Sequence, residues 1–271
     1  MSGCLGAAGC LLVAAWAVAT SGQNVTTQVV VDFVQFYRHR DVYVMDSALG
    51  SSWAADTYLA LATRTAALAA VVPLASLGET HGWPRANVSP LMVALLPSPR
   101  HAAALAQVFP RAPSWSSWLL LLPSPDLTPW LEPLTLLLDS MVTVAVIPPE
   151  SASATLWQVY QVAPGMDKRL LHAGRWLLPT PEADKELARV RGQMMPRDRL
   201  EERKVTFGRM LGVVGDPLLR REDLSGLQLT CSTIHEPPNT LLKPRQYGTV
   251  IVTGIFGDVV TTLQQITNFT V

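Results

Sequence analysis

The sequence is poor in cysteine and in charge, and both shortages exclude classes of protein. Three cysteines occur among 271 residues, and Cys4 and Cys10 lie in the first ten, so Cys231 stands alone in the rest. A disulfide-stapled scaffold is therefore excluded, and we expect Cys231 to be a small buried residue of a strand. Charged residues make up only 15% of the chain and balance to zero, which argues against a nucleic-acid surface or a polybasic membrane patch.

The sequence also lacks the motifs that indicate an enzyme. Its five histidines are scattered singly, without metal-ligand spacing. No Gly-x-Ser-x-Gly, His-Glu-x-x-His or Cys-x-x-Cys occurs, and no complete phosphate-binding loop accompanies Gly254 and Gly257. His235 and Glu236 are neighbours, but adjacent residues of a strand point to opposite faces. We therefore expect no enzymatic activity, no catalytic residue, no metal and no cofactor.

One apolar run stands out, and it lies at the amino terminus. The residues from Cys4 to Ala19 are nearly all small or apolar, and the small residues of Thr20–Gln23 suit signal-peptidase cleavage. The run is shorter than the roughly 20 residues that a membrane span needs. We interpret residues 1–22 as a signal peptide. An uncleaved signal anchor is the alternative, because Met1–Gly3 carries no lysine or arginine.

Three Asn-x-Ser/Thr sequons are compatible with the secretory pathway. They lie at Asn24, Asn87 and Asn268, and each is a predicted glycosylation site. Asn87 is the poorest acceptor because Pro90 directly follows Ser89. We expect Asn268 to be partly covered in a completed domain.

The middle of the chain alternates between helical and strand-like patterns. Hydrophobic residues make up 49% of the sequence, which is too apolar for disorder. The alternation predicts a layered α/β domain with a mostly parallel sheet over residues 23–181. Helices are predicted at 30–37, 53–69, 100–108 and 127–138, and strands at 42–45, 70–72, 91–96, 118–122, 142–147 and 155–162.

Tryptophans are frequent in this domain, and they permit two interpretations. They either line a ligand cleft or pack in the core and on domain surfaces, and packing is the preferred interpretation. The residues concerned are Trp115, Trp118, Trp130, Trp157 and Trp176.

Charged residues then concentrate in residues 182–222. Glu182 with Lys185, and Glu186 with Arg189, have the helical spacing of i to i+3. We interpret this segment as a charged helical linker between domains. A docking site for a co-receptor is the alternative.

Residues 223–271 have the pattern of a second α/β domain that is beginning. Leu227, Leu229 and Cys231 alternate with polar residues, as in a half-buried strand. Pro237-Pro238 cannot donate to a sheet and therefore ends that strand.

A helix is predicted after this break. Gly254 and Gly257 allow a tight turn, and Asp258 falls in the first helical turn, where the helix dipole favours a carboxylate. Asn268–Val271 looks like the start of a further strand. The apolar helical face is formed by Val259, Val260, Leu263 and Ile266.

The order and spacing of these pieces resemble the first segment of the ligand-binding domain in ionotropic glutamate receptors. The resemblance is greatest to their divergent chemosensory branch, the ionotropic receptors. In that family a strand with the pattern Asp-Leu-x-Gly-x-x-Leu leads into a turn with the pattern Thr-Ile-x-x-x-Pro. A helix then begins at Gly-x-x-x-Asp and ends at Asn-Phe-Thr. The matching residues are Asp223, Leu224, Gly226, Leu229, Thr233, Ile234, Pro238, Gly254, Asp258, Asn268, Phe269 and Thr270. Upstream, only the general layout is similar to the family's amino-terminal domain.

The resemblance implies an α/β fold in two parts. A layered amino-terminal domain is followed by the incomplete first lobe of a periplasmic-binding-protein-like ligand-binding domain over residues 223–271. In glutamate receptors the turn after the first strand carries a Glu that bridges the two lobes and a Tyr that walls the ligand. Glu236 matches the Glu, and Asn239 stands at the Tyr position. The implied ligand-binding residues are therefore Glu236 and, more weakly, Asn239, with Gly254, Asp258 and Phe269 as structural motif residues.

The alternative for Glu236 is an exposed loop carboxylate without a role. For Asp258, a helix-start residue is preferred to a ligand contact. The family's agonist-binding Arg, second lobe, pore loop and membrane helices would lie beyond Val271.

The expected function is the extracellular part of a ligand-gated cation channel subunit of the chemosensory ionotropic receptor type, lacking the pore and second lobe in this chain. The expected location is the extracellular side of the cell membrane. The expected partners are a small-molecule ligand and the other subunits of a homo- or heterotetramer, with no nucleic acid. The alternative is a secreted or membrane-tethered ligand-binding module without channel activity.

Overall fold

The computed structural model describes residues 25–46, 52–74, 89–111, 116–149, 151–180, 185, 188–189, 200–205, 207–213, 222–244 and 250–271. The chain forms two compact units, which divide between Gly215 and Asp216. The predicted signal peptide, Asn24, Asn87, Trp115 and most of the segment 182–199 lie outside the described residues. No helix in the described part of the chain combines the length and apolarity that crossing a membrane requires.

The first unit is built around a nine-stranded sheet with the order β2-β1-β3-β4-β5-β6-β7-β9-β8. The strands β1 to β5 are parallel to one another, and β6 to β9 continue the sheet from β5 in antiparallel pairs. The predicted α/β class is confirmed. The helices are α1 (25–37), α2 (Ser52–Arg64), α3 (Pro99–Val108) and α4 (Thr128–Leu131). The strands are β1 (Asp41–Asp46), β2 (Leu68–Pro73), β3 (Leu91–Leu95), β4 (Ser117–Leu122), β5 (Met141–Val146), β6 (Ser153–Tyr160), β7 (Arg169–Leu177), β8 (Leu200–Lys204) and β9 (Arg209–Val213).

The central strands are apolar along their whole length because helices cover both faces of the sheet. The residues of β3 and β4 are almost all buried. One core cluster joins α1 and α2 to one face of the sheet, and a second joins α3 and α4 to the other face. Along β1, Val44 belongs to the first cluster and Met45 to the second, as the alternation of strand side chains requires.

A buried polar link fixes α1 against the antiparallel part of the sheet. Asp32 on α1 is fully buried. Its Oδ2 accepts a hydrogen bond from Trp176 Nε1 of β7 at 2.7 Å, and its Oδ1 accepts one from the backbone N–H of Phe207 at 3.0 Å. A buried carboxylate without such partners would be strongly destabilising. These bonds therefore help to fix α1 against β7 and the turn between β8 and β9.

The helix predicted over residues 127–138 is much shorter in the structure. It ends at Leu131, and residues 132–138 form turns and irregular chain, so the prediction is wrong for those residues. Pro133 explains the early end, because proline has no N–H and its ring clashes with the carbonyl one helical turn earlier. Leu136 is nevertheless buried, and its N–H donates to Gln161 Oε1 at 2.9 Å.

The linker predicted over residues 182–222 is wrong for residues 200–213, which contain β8 and β9. These strands pair with each other, and β9 also pairs with β7. Their charges pair within the hairpin, since Arg209 contacts Glu202 and Arg203 contacts Glu201. The Arg203 guanidinium also lies 5.5 Å from the ring centre of Phe36. Met210 and Leu211 are buried. The sequence did not indicate this, because charged residues surround both.

The second unit contains an antiparallel pair, β10 (Leu241–Pro244) and β11 (Val250–Thr253), followed by α5 (Ile255–Thr267). The predicted strand near Leu227 is reduced to one parallel bridge between Gln228 and Thr270. The prediction that Cys231 is buried is wrong, because its side chain is exposed. Among the described residues, neither core cluster includes a residue of this unit, and Leu229 of that segment is exposed.

Candidate functional site

The Pro-Pro turn of the second unit is a closed loop. The backbones of Glu236 and Thr240 exchange two hydrogen bonds, of 2.9 and 2.8 Å. Thr240 is buried, whereas the two prolines and Glu236 are exposed. The peptide bond between Pro237 and Pro238 is cis. The paired backbones of Glu236 and Thr240 reverse the chain, and the Glu236 side chain faces solvent.

This turn lies against the start of α5. The backbone N–H of Phe256 donates to the carbonyl oxygen of Asn239 at 3.0 Å, which satisfies one of the free N–H groups of the first helical turn. Gly254 has φ +85°, and a Cβ atom there would lie 2.7 Å from the Pro238 carbonyl oxygen. Only glycine fits this conformation and this close approach. The Pro-Pro turn is therefore held at the amino-terminal end of α5.

A second contact brings the other end of α5 to the first strand segment. The N–H of Leu224 donates to Thr267 O at 2.6 Å, and the N–H of Thr270 donates to Leu227 O at 2.9 Å. The N–H of Leu229 donates to the carbonyl oxygen of Thr270 at 2.8 Å. The segment before the turn and the segment after the helix consequently run parallel. The predicted helix is therefore present between the two segments, but one bridge joins the segments and they do not form the predicted strands.

The other residues of the resemblance also have backbone roles. The Asp223 carboxylate accepts a hydrogen bond from the N–H of Ser225 at 3.0 Å, and Gly226 has φ +84°. Together they shape the tight turn that begins the unit. Asn268 ends α5 in the left-handed conformation, with φ +59°. Asparagine tolerates this conformation better than most residues.

The predicted site residues fall into two groups. Glu236, Asn239, Gly254 and Asp258 gather at the amino-terminal end of α5, where Asp258 occupies the first turn. Asn239 is half-buried, and its backbone rather than its side chain makes the described contact. The other two predicted residues that the structure describes, Asn268 and Phe269, follow the carboxyl end of α5, with the Asn268 side chain exposed and Phe269 half-buried.

His235 has a structural partner and is not paired with Glu236. Its Nδ1 accepts a hydrogen bond from the backbone N–H of Leu242 at 3.1 Å, which ties the turn to β10. Within the described residues, no group of His, Cys, Asp and Glu side chains is arranged to hold a metal ion.

The first unit contains a cleft that sequence reasoning did not identify. Its volume is about 800 Å³, and it lies between the segment 125–132 and the face of the sheet formed by the end of β5 and by β6, reaching the turn that joins β6 to β7. Trp157 lines this cleft. Trp118 and Trp176 are instead buried in the core, and Trp130 Nε1 donates to the Leu96 carbonyl oxygen at 3.0 Å. Trp157 was one of five tryptophans that the sequence offered as candidates for lining a cleft. Nothing in the local sequence distinguishes it from the other four.

A scan of protein-family models and a search of curated proteins found no match for the chain. Function is therefore inferred from the residues and the geometry described above.

Proposed function

We propose that the chain is the extracellular part of a ligand-gated cation channel subunit of the chemosensory ionotropic receptor type. In this proposal the second unit begins the first lobe of a periplasmic-binding-protein-like ligand-binding domain. The observation that carries it is the parallel pairing of residues 227–229 with Thr270 across α5, with the Pro-Pro turn held at the start of that helix.

This arrangement supports a ligand site at one end of the second unit. In α/β folds, ligands bind beyond the carboxyl ends of parallel strands, where helices begin and their N–H groups point outward. The Pro-Pro turn follows the first strand segment and lies at this end. The exposed Glu236 carboxylate is there, at the position that the resemblance gives to a ligand-binding residue.

The uncovered apolar face of α5 also supports a larger lobe. Val259, Leu263 and Ile266 recur on one side of the helix and are between 46% and 63% exposed. A helix in an α/β lobe covers such a face with a sheet, because apolar area left in water costs about 25 cal/mol per Å². In the proposal, further strands of the ligand-binding domain cover it.

The test is to sequence the transcript past the codon for Val271 and then to record from the encoded protein. The proposal expects a second strand-rich segment, a pore loop and apolar stretches of about 20 residues. It also expects cation currents when the encoded protein is expressed with partner subunits. An in-frame stop directly after that codon would contradict the channel and leave a binding module without channel activity.

A further inference from the structure

The cleft of the first unit, called here the β5–β6 cleft, has an apolar floor. Leu127, Leu131 and Val146 line it and are buried. Trp157 and Met166 form part of its walls and are half-buried. Its volume of about 800 Å³ falls in the range of roughly 300–1,000 Å³ that is typical of small-molecule sites. The cleft is therefore large enough for the apolar body of a small organic molecule.

A buried side chain fixes the shape of the cleft. Gln161 is buried, and its Oε1 accepts a hydrogen bond from the N–H of Leu136. Its Nε2 donates to the carbonyl oxygen of Met166 at 2.6 Å. These bonds join the β6–β7 turn to the segment between α4 and β5. The two sides of the cleft are thus held together by groups that cannot separate without leaving buried polar atoms unpaired.

The rim of the cleft is acidic. Asp126, Glu132 and Asp167 line it with exposed side chains, and Lys168 is the only basic residue among the residues that line it. Lys168 Nζ donates to the backbone carbonyl of Glu132 at 3.4 Å. Burial lowers the pKa of Lys168, and the negative charge of Glu132 acts in the opposite direction and raises it. Lys168 and Glu132 therefore offset each other, which leaves the negative charges of Asp126 and Asp167.

We infer that the β5–β6 cleft binds a small organic ammonium ion with an apolar body. The apolar body occupies the floor, and the ammonium group lies at the rim near the carboxylates. The charge of the rim disfavours an anion, and the Trp157 ring adds a surface of a kind that attracts cations. This site belongs to the first unit and is independent of the function proposed from the second unit.

The test uses the whole chain and three probes with one apolar body and different charge. These are 4-phenylbutylammonium, 4-phenylbutanol and 4-phenylbutyrate, and binding is measured by ligand-observed NMR and calorimetry at low salt. The inference expects the ammonium ion to bind about tenfold more tightly than the alcohol. It expects the carboxylate to bind most weakly. Equal binding of the ammonium ion and the alcohol, or tightest binding of the carboxylate, would overturn it.

Two matched variants locate the binding. Asp167→Asn removes one rim charge without changing size and is expected to weaken ammonium binding about threefold. Asp56→Asn makes the same change at an exposed residue of α2, on the other face of the sheet, and is expected to leave binding unchanged. Thr155→Trp fills the cleft and is expected to abolish binding, with circular dichroism confirming that the variant is folded. Ammonium binding that survives Thr155→Trp, or that falls equally in both Asp→Asn variants, would contradict the assigned site.

Discussion

The carboxylate of Asp32 and the indole of Trp176 form a 2.7 Å hydrogen bond across 144 residues of sequence. Both residues are fully buried, one on α1 and the other on β7. The same carboxylate also accepts the backbone N–H of Phe207. One side chain therefore links α1 to β7 and to the turn between β8 and β9, and it does so within an otherwise apolar core cluster.

Removing this carboxylate is expected to destabilise the first unit. Asp32→Ala leaves the buried Trp176 N–H and the half-buried Phe207 N–H without their acceptor, which should lower the free energy of unfolding by about 2–4 kcal/mol. Chemical denaturation followed by tryptophan fluorescence measures this change. Asp56→Asn, at an exposed position of α2, is the control and should change stability by less than about 0.5 kcal/mol. A similarly small effect for Asp32→Ala would contradict the structural role.

Gly254 is expected to tolerate no side chain, because its backbone is in the left-handed region and two carbonyl oxygens lie close to it. The residue has φ +85°, and an added Cβ would lie 2.7 Å from Pro238 O and 2.9 Å from Asn239 O. Gly165 in the first unit is the matched control, since it has φ +80° but nothing within 4 Å of an added Cβ. Gly165→Ala should therefore cost only the backbone strain, about 1–2 kcal/mol.

Gly254→Ala should cost more than Gly165→Ala, because the turn must also move away from α5. Amide hydrogen exchange measures this locally. The amides of α5 should lose protection in Gly254→Ala, and those of the first unit should not. Unchanged protection of the Phe256 amide would mean that the contact with Asn239 does not hold the turn.

The strands β1 to β5 were predictable because each is a short apolar run between turn residues, as in Leu91–Leu95 between Pro90 and Pro97. The hairpin of β8 and β9 was not, because its charges of both signs also fit a solvated helix. What decides between the two is pairing with β7, a contact between segments distant in sequence. Local patterns do not contain that information.

The sequence predicted that a Pro-Pro break precedes the start of α5, but it did not predict how the two contact each other. Gly254, Asp258 and Pro238 marked a break and a helix start, and both are present. The hydrogen bond from Phe256 to Asn239 was not predictable, since it depends on how the turn folds back on the helix. The β5–β6 cleft escaped prediction for a similar reason, because its walls come from four separate segments of the chain.

The first unit is expected to lose stability in mild acid through His39. This residue follows α1, and its ring stacks on Phe33 with centroids 5.8 Å apart. Burial lowers the pKa of His39 from 6.5 to about 4. The unfolded chain therefore takes up a proton at a higher pH than the folded chain does. The stability associated with neutral His39 is complete above about pH 6.5 and is lost as the pH falls toward 4.

The measurement is the difference in unfolding free energy between wild type and His39→Phe at pH 7 and at pH 4. Phenylalanine keeps the ring stacking and cannot titrate, so the advantage of wild type should shrink by about 2–3 kcal/mol over this range. Burial, and secondarily Arg175, also lowers the pKa of His172, but His172 is present in both proteins and cancels in the difference. A difference that does not change with pH would show that His39 is protonated equally in both states.

Glu236 and Asp258 provide the sharpest test of the ligand site, because both are exposed carboxylates at the same end of the second unit. Neither Glu236→Gln nor Asp258→Asn should change the free energy of unfolding by more than about 0.5 kcal/mol. In the full-length channel that the proposed function implies, stimulated with an agonist found by screening small organic compounds, Glu236→Gln should raise the half-maximal concentration about tenfold or more. Asp258→Asn should leave it within about twofold, because that carboxylate serves the start of the helix. Equal responses in the two variants would mean that Glu236 is an exposed loop carboxylate, and the ligand would then have to be held by other residues.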